Sequence, residues 1–370
     1  MKRVLIYHNV GELMKKSISS NRLIYFDLMR IVACFCVIVI HVGVYNQTDS
    51  FGNRDLQLLS MNFYGIISRW AVPCFVMLSG IMFLNRNKDI PLRKLYFKYI
   101  SRMIISYVFW SFVYCLYNMI YSTDCSLSEM VHYIINNWLS GEIHMWYVLM
   151  TIGLYIITPI LKIIIDNISE KMLMYWLCIM FVFFSVVPFL SDLGIPFIST
   201  YISYINVYME LYFLLGYTFY YILGYSIFNN RISDKSKTLI YILGIAGFIY
   251  SFMILIVLKY FININIGALN YCYPNIVFMS VAVLLLFIDK VSKISFKTKT
   301  KKIIVSISNL TYGIFLIHVL ILKILYHLGI DLSLCNMVIC VPLVALITFI
   351  ISMIIIFGIS KIPKINKYIC

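Results

Sequence analysis

Arg30 and His41 stand eleven residues apart in an otherwise apolar stretch. Eleven residues are close to three turns of α-helix, so the two side chains share a face, separated by roughly 16 Å along the axis. A guanidinium offers a planar fork that matches phosphate oxygens, and an imidazole gives and takes protons near neutral pH. One face carrying both suits a long anionic cofactor. Arg30 would hold phosphate, and His41 would meet the reactive end as a general base or as a transient acyl carrier. Asp27 precedes Arg30 by three residues, the spacing at which helical side chains pair. The plainer alternative has Asp27 and Arg30 snorkelling at an interface while His41 bonds a carbonyl.

Further polar side chains interrupt apolar runs. Ser68-Arg69-Trp70-Ala71-Val72-Pro73 leads into Ser79-Gly80, where a small pair permits close helix approach. His144-Met145-Trp146-Tyr147 opens a run that reaches Pro159, and Ser308-Asn309-Leu310-Thr311-Tyr312-Gly313 precedes His318. Glu210 has no partner nearby in sequence. Ionisable groups at membrane depth are costly and by default mark a site.

The elements that must position these residues are helices in a bilayer. Of 370 residues, 62% are hydrophobic and 12% charged, whereas about a quarter of a soluble domain is charged. About twenty apolar residues cross the hydrocarbon core as a helix. Stretches of that kind run near 25–46, 60–84, 103–121, 145–165, 172–190, 204–228, 238–258, 272–288, 303–326 and 336–360. The expected fold is all-α, a polytopic membrane helix bundle of about ten spans. Lys and Arg concentrate in alternate connections, 25 on one side against 2 on the other, with Arg30, Arg69 and Lys323 inside spans. That asymmetry places both termini in the cytoplasm, which an even number of spans allows.

The division expected is a cytoplasmic arm at 1–21, a membrane domain at 22–362 and a cytoplasmic tail at 363–370. The arm lacks the apolar core and small-residue cleavage site of a signal peptide. Net charge is +15, but the basic residues sit between apolar runs, as in loops that touch anionic lipid, so nucleic acid is not an expected partner. The ten cysteines fall mostly within apolar runs with no CxxC pair, so no disulfide framework and no metal is expected. There is no internal repeat of the kind that builds many transporters.

Taken together, these residues resemble the acyltransferase-3 family of membrane O-acyltransferases. Tyr25-Phe26-Asp27-Leu28-Met29-Arg30 through His41 matches its basic-residue, ten-residue gap, histidine signature. Ser68 to Phe75 with Ser79-Gly80 matches its second block, His144-Met145-Trp146 with Pro159 its third, and Ser308 to His318 its last. The blocks keep their order over residues 22–325. The likeness is greatest to members of the enterobacterial common antigen O-acetyltransferase type, which lack an appended extracellular domain. Many relatives carry Arg-x-x-Arg after the second span; here the region reads Lys98-Tyr99-Ile100-Ser101-Arg102, with Arg102 in place and Lys98 one position off.

The resemblance implies an inner-membrane enzyme using acetyl-CoA as a cytoplasmic co-substrate, with no permanently bound cofactor, and a hydroxyl of a glycan or lipid-linked sugar as acceptor. Arg30 and His41 would be the essential pair with Asp27, and Lys98 and Arg102 would bind donor. Arg69, Ser79, His144, Trp146, Glu210, Tyr312 and His318 would line the acceptor side. The rival class is a transporter or flippase for a glycolipid or small anion, in which the same buried charges form a pathway.

Overall fold

Inside a bilayer a backbone amide finds no water, so spanning segments must satisfy their own hydrogen bonds as helices. The computed structural model describes residues 22–45, 55–86, 90–122, 127–193, 216–230, 232–257 and 269–362, with single positions between 195 and 202 and at 368. Its helices are α1 (Ile24–Tyr45), α2 (Asp55–Ser68), α3 (Ala71–Phe83), α4 (Ser101–Ser122), α5 (Leu127–Asn137), α6 (Trp146–Asn167), α7 (Glu170–Phe181), α8 (Val187–Ser191), α9 (Thr218–Asn229), α10 (Asp234–Val257), α11 (Pro274–Asp289), α12 (Thr298–His327) and α13 (Met337–Ser360). A one-turn helix, Leu92–Lys94, and a π-helical stretch, Leu95–Ile100, lead into α4, and a second π-helical stretch, Val182–Val186, joins α7 to α8.

The protein is a polytopic membrane helix bundle. Nine helices among the described residues are long and apolar enough to cross a membrane. The tenth expected span, 204–228, is described only in its second half, as α9, and Glu210 lies outside the described residues. Two features depart from expectation. The connection after α4 contains α5, and the second span is two helices that part at Arg69–Trp70. Pro73 accounts for the break: lacking an N–H, it cannot bond the carbonyl of Arg69, so it sits in the first turn of a new helix.

α1 packs against α2, α3, α12 and α13 and so runs through the middle of the bundle. Small residues set the close crossings, since apolar side chains gain little from meeting one another rather than lipid. A Cβ on Gly80 of α3 would stand 1.8 Å from the Tyr221 carbonyl oxygen, and one on Gly224 of α9 would stand 2.5 Å from that of Met77. The two glycines interlock backbone against backbone. Gly313 similarly admits Ile356 of α13, whose Cγ2 would lie 2.6 Å from an added Cβ.

Gly80→Ala therefore forces α3 and α9 apart, a change of the overpacking kind that costs about 1–3 kcal/mol or more. Thermal unfolding of the detergent-solubilised protein should shift clearly downward. Gly153→Ala, where an added Cβ meets nothing within 4 Å, should be neutral or slightly stabilising.

Candidate active site

Asp27 is 1% exposed and accepts four hydrogen bonds from three side chains. Arg22 approaches both carboxylate oxygens, Nε at 2.6 Å and Nη2 at 2.9 Å. Arg30 Nη1 donates at 3.0 Å and Ser308 Oγ, on α12, at 2.8 Å. Arg22 also reaches Asn309 at 2.8 Å. The expected pairing of Asp27 with Arg30 is present, and it belongs to a wider network that ties α1 to α12. Asp27 lies in the first turn of α1, where a negative charge also suits the helix dipole.

Arg30 forms part of the wall of a cavity of about 240 Å³ whose other charged lining residue is Arg102; no carboxylate lines it. Arg102 lies with its guanidinium carbon 5.3 Å from the centre of the Tyr312 ring, and the Tyr312 hydroxyl is 2.5 Å from Ser106 Oγ. Tyr147, Thr151 and Tyr155 line one side at four-residue intervals along α6, and Phe75 and Ser79 of α3 line another. Two guanidinium groups beside aromatic walls and no acid make a setting for an anionic guest with an apolar arm.

The cavity also meets Phe315. The ring of Phe315 stands 5.5 Å from His144, 5.7 Å from His318 and 5.3 Å from Tyr147, centre to centre. Beyond it three imidazoles gather. His41 is 5.1 Å from His318 and 5.9 Å from His144, and His144 is 4.9 Å from His318. His41 is partly exposed, whereas His144 and His318 are 1% and 0% exposed. His144 Nε2 lies 3.3 Å from the Leu316 carbonyl and His318 Nδ1 lies 2.6 Å from that of Phe315. A carbonyl only accepts, so these nitrogens donate and the tautomer of each neutral ring follows.

The turn that carries His144 is held from three sides. Gly141 takes φ +68°, a left-handed value that favours glycine, and an added Cβ there would meet the Tyr107 hydroxyl at 2.9 Å. Glu142 caps the following turn by accepting from Ile143 N, and its other oxygen receives Lys323 of α12 at 2.5 Å. Tyr114 of α4 donates to the Leu316 carbonyl at 2.9 Å and accepts from Leu320 N at 3.0 Å. α4, α6 and α12 thus meet at the histidines.

A second aromatic group flanks the cluster. Arg69, at the α2–α3 break, donates to the Tyr271 hydroxyl at 3.1 Å and lies 5.1 Å from that ring's centre. Trp146 stands 5.4 Å from Tyr217 and 6.0 Å from Tyr271. Arg69 is also within electrostatic reach of His41.

The residues singled out by sequence thus fall into three sets. Arg30, Arg102, Ser79 and Tyr312 share the cavity, although Ser79 and Tyr312 were expected with the acceptor group. His41, His144 and His318 form one cluster, and Arg69 and Trp146 belong to the aromatic group. Lys98 is exposed and outside the cavity, and Tyr99 lines it instead. The region is the π-helical stretch Leu95–Ile100 that leads into α4. Sequence reading missed Arg22, Tyr155 and Phe315. Tyr147, Thr151 and Tyr155 are a polar stripe at helical spacing within an apolar run, which is a readable signal.

Among the described residues no group of three His, Cys, Asp or Glu is arranged to hold a metal ion. The family model of an acyltransferase domain, acyltransferase-3, matches residues 23–359. No curated protein matches the chain, and no solved structure does.

Asp27→Asn keeps the shape of this hub and removes the charge that holds two arginines together. Breaking a buried ion pair from one side costs about 3–5 kcal/mol. The variant should melt well below the wild type in a thermal-shift assay, while Lys98→Gln, at an exposed position, should not.

Proposed function

From the premise that the chain belongs to the acyltransferase-3 family, we propose that it moves an acetyl or other short acyl group from acetyl-CoA to a hydroxyl of a cell-surface glycan or a lipid-linked sugar. The observation that carries this reading is a cavity walled by Arg30 and Arg102, free of carboxylates, that reaches Phe315 on the edge of the histidine cluster. Donor phosphates pair with the two guanidinium groups. The pantetheine arm follows the aromatic wall toward the cluster. His41, the partly exposed ring of the three, takes the acceptor's hydroxyl proton as oxygen attacks the thioester carbonyl.

The acceptor ring stacks on Trp146 and its neighbours, where a sugar's apolar face meets an aromatic one. Arg69 is available there for an acceptor oxygen or for the negative charge that develops on the carbonyl oxygen. A transporter of small anions would need the same cations, but no bare imidazoles beyond an apolar partition.

His41→Ala should lower CoA release in the presence of acceptor by at least about a hundredfold, the range of a lost acid–base group. Acetyl-CoA binding and folding should be unchanged. Near-normal turnover in well-folded protein would end the assignment.

Sidedness supplies the second test. The 25 Lys and Arg on one side against 2 on the other place Arg30 and Arg102 toward the cytoplasm. Acetyl-CoA added to inside-out vesicles should label the acceptor; added to sealed right-side-out vesicles it should not, since CoA does not cross a bilayer. A cysteine at Ser295 should react with an impermeant reagent only after permeabilisation. Equal acceptor labelling from both orientations refutes the donor path.

A further inference from the structure

The two most deeply buried imidazoles of the cluster each carry a ring nitrogen without a hydrogen-bond partner. His144 Nδ1 and His318 Nε2 have no hydrogen-bond partner, and both rings are essentially inaccessible. The opposite nitrogen of each ring donates to a carbonyl of α12, that of Leu316 or Phe315. In a neutral ring the unpartnered nitrogen is therefore a bare lone pair. Leaving such an acceptor unsatisfied in a low-dielectric interior costs free energy, and two of them lie in one cluster beside His41.

We propose that His144 and His318 are the proton-holding partners of His41; this rests on the acyl-transfer reading above. When His41 takes the acceptor's hydroxyl proton it becomes an imidazolium in a low-dielectric setting. Such a charge is costly unless hydrogen-bonded. The ring centres of His41 and His318 stand 5.1 Å apart and those of His318 and His144 4.9 Å, close enough for a turn of the His41 ring to bring its N–H within hydrogen-bond range of a bare nitrogen. The imidazolium N–H then donates to a bare nitrogen of His318 or His144.

The transfer balances without any other reactant. The acceptor O–H bond breaks and a C–O bond forms to the acyl carbon, while the C–S bond to CoA breaks. The proton, held across the cluster during the attack, returns through His41 to the departing sulfur as S–H. The two enclosed rings do for His41 what a carboxylate does for the histidine of a hydrolase triad, with neutral nitrogens in place of a charge. They act through His41 and are positioning residues.

Side-chain isosteres separate this role from a structural one. An Asn amide nitrogen overlies histidine Nδ1 and a Gln amide nitrogen overlies Nε2. His318→Asn and His144→Gln thus keep the bonds to Phe315 and Leu316 and remove the bare bases. Each should fold and bind acetyl-CoA as the wild type does, yet lose at least about tenfold in turnover, with a larger loss in the double variant. In wild-type enzyme, rates across mixtures of light and heavy water should follow a curved dependence, as for more than one proton in flight. Nitrogen-15 spectra of histidine-labelled wild-type protein in micelles should show a neutral Nε2–H ring for His144 and a neutral Nδ1–H ring for His318.

Wild-type turnover in both isosteres overturns the relay and leaves acyl transfer standing. So does a linear isotope dependence, which decides the matter if either isostere fails to fold. Wild-type protein that releases no CoA overturns the acyl-transfer reading instead. The opposite tautomer at either ring, or stoichiometric zinc bound through these nitrogens, overturns the relay whatever the activity.

Discussion

A single carboxylate sets the register between the two helices on which the site is built. Asp27 joins α1 to α12 through Ser308 and holds Arg22 and Arg30 against it. α1 carries Arg30 and His41; α12 carries Ser308, Tyr312, Phe315 and His318. A slip of one residue in either helix turns its face by about 100°. The cavity and the histidine cluster would then come apart together, because both are defined across the same seam. Near the other end of the seam, Lys323 binds Glu142 and Asn118. α12 is thus held to α1 at one end and to α4 and the turn before α6 at the other.

The three imidazoles and the cavity have opposite physical characters. The cavity is cationic, whereas His144 and His318 of the cluster are buried among aromatic rings and backbone carbonyls. Phe315 lies between them and touches both. A cation-lined entrance suits capture of a phosphate-bearing donor. The two buried rings are held by backbone carbonyls of α12. Backbone carbonyls of α12, with Tyr114 set across the Leu316–Leu320 step, orient the rings without placing an acid beside them.

Much of this was legible from residue spacing because it is local. The eleven-residue interval placed Arg30 and His41 on one face, and the three-residue interval paired Asp27 with Arg30. Ser79-Gly80 signalled a close crossing, which Gly80 makes with Tyr221. The gathering of His144 and His318 onto His41 was not legible, since it depends on how α1, α6 and α12 pack. Lys98 was named from the family's Arg-x-x-Arg pattern, where it stands one position off, and in the structure Tyr99 lines the cavity beside Arg102. The stretch 60–84 was expected as one span; the missing N–H of Pro73 ends one helix at Ser68 and starts another at Ala71.

The guanidinium groups outnumber the acid that binds them. Arg22 and Arg30 share Asp27, and Arg102 adds a further positive charge in a wall without a carboxylate. Guanidinium groups gathered around one carboxylate make this wall a favourable setting for a negatively charged guest. Any guest that binds the folded site and not the unfolded chain raises stability by mass action. A negatively charged ligand that bound there would thus act on the bundle as a stabiliser during extraction from the membrane, whatever else it did.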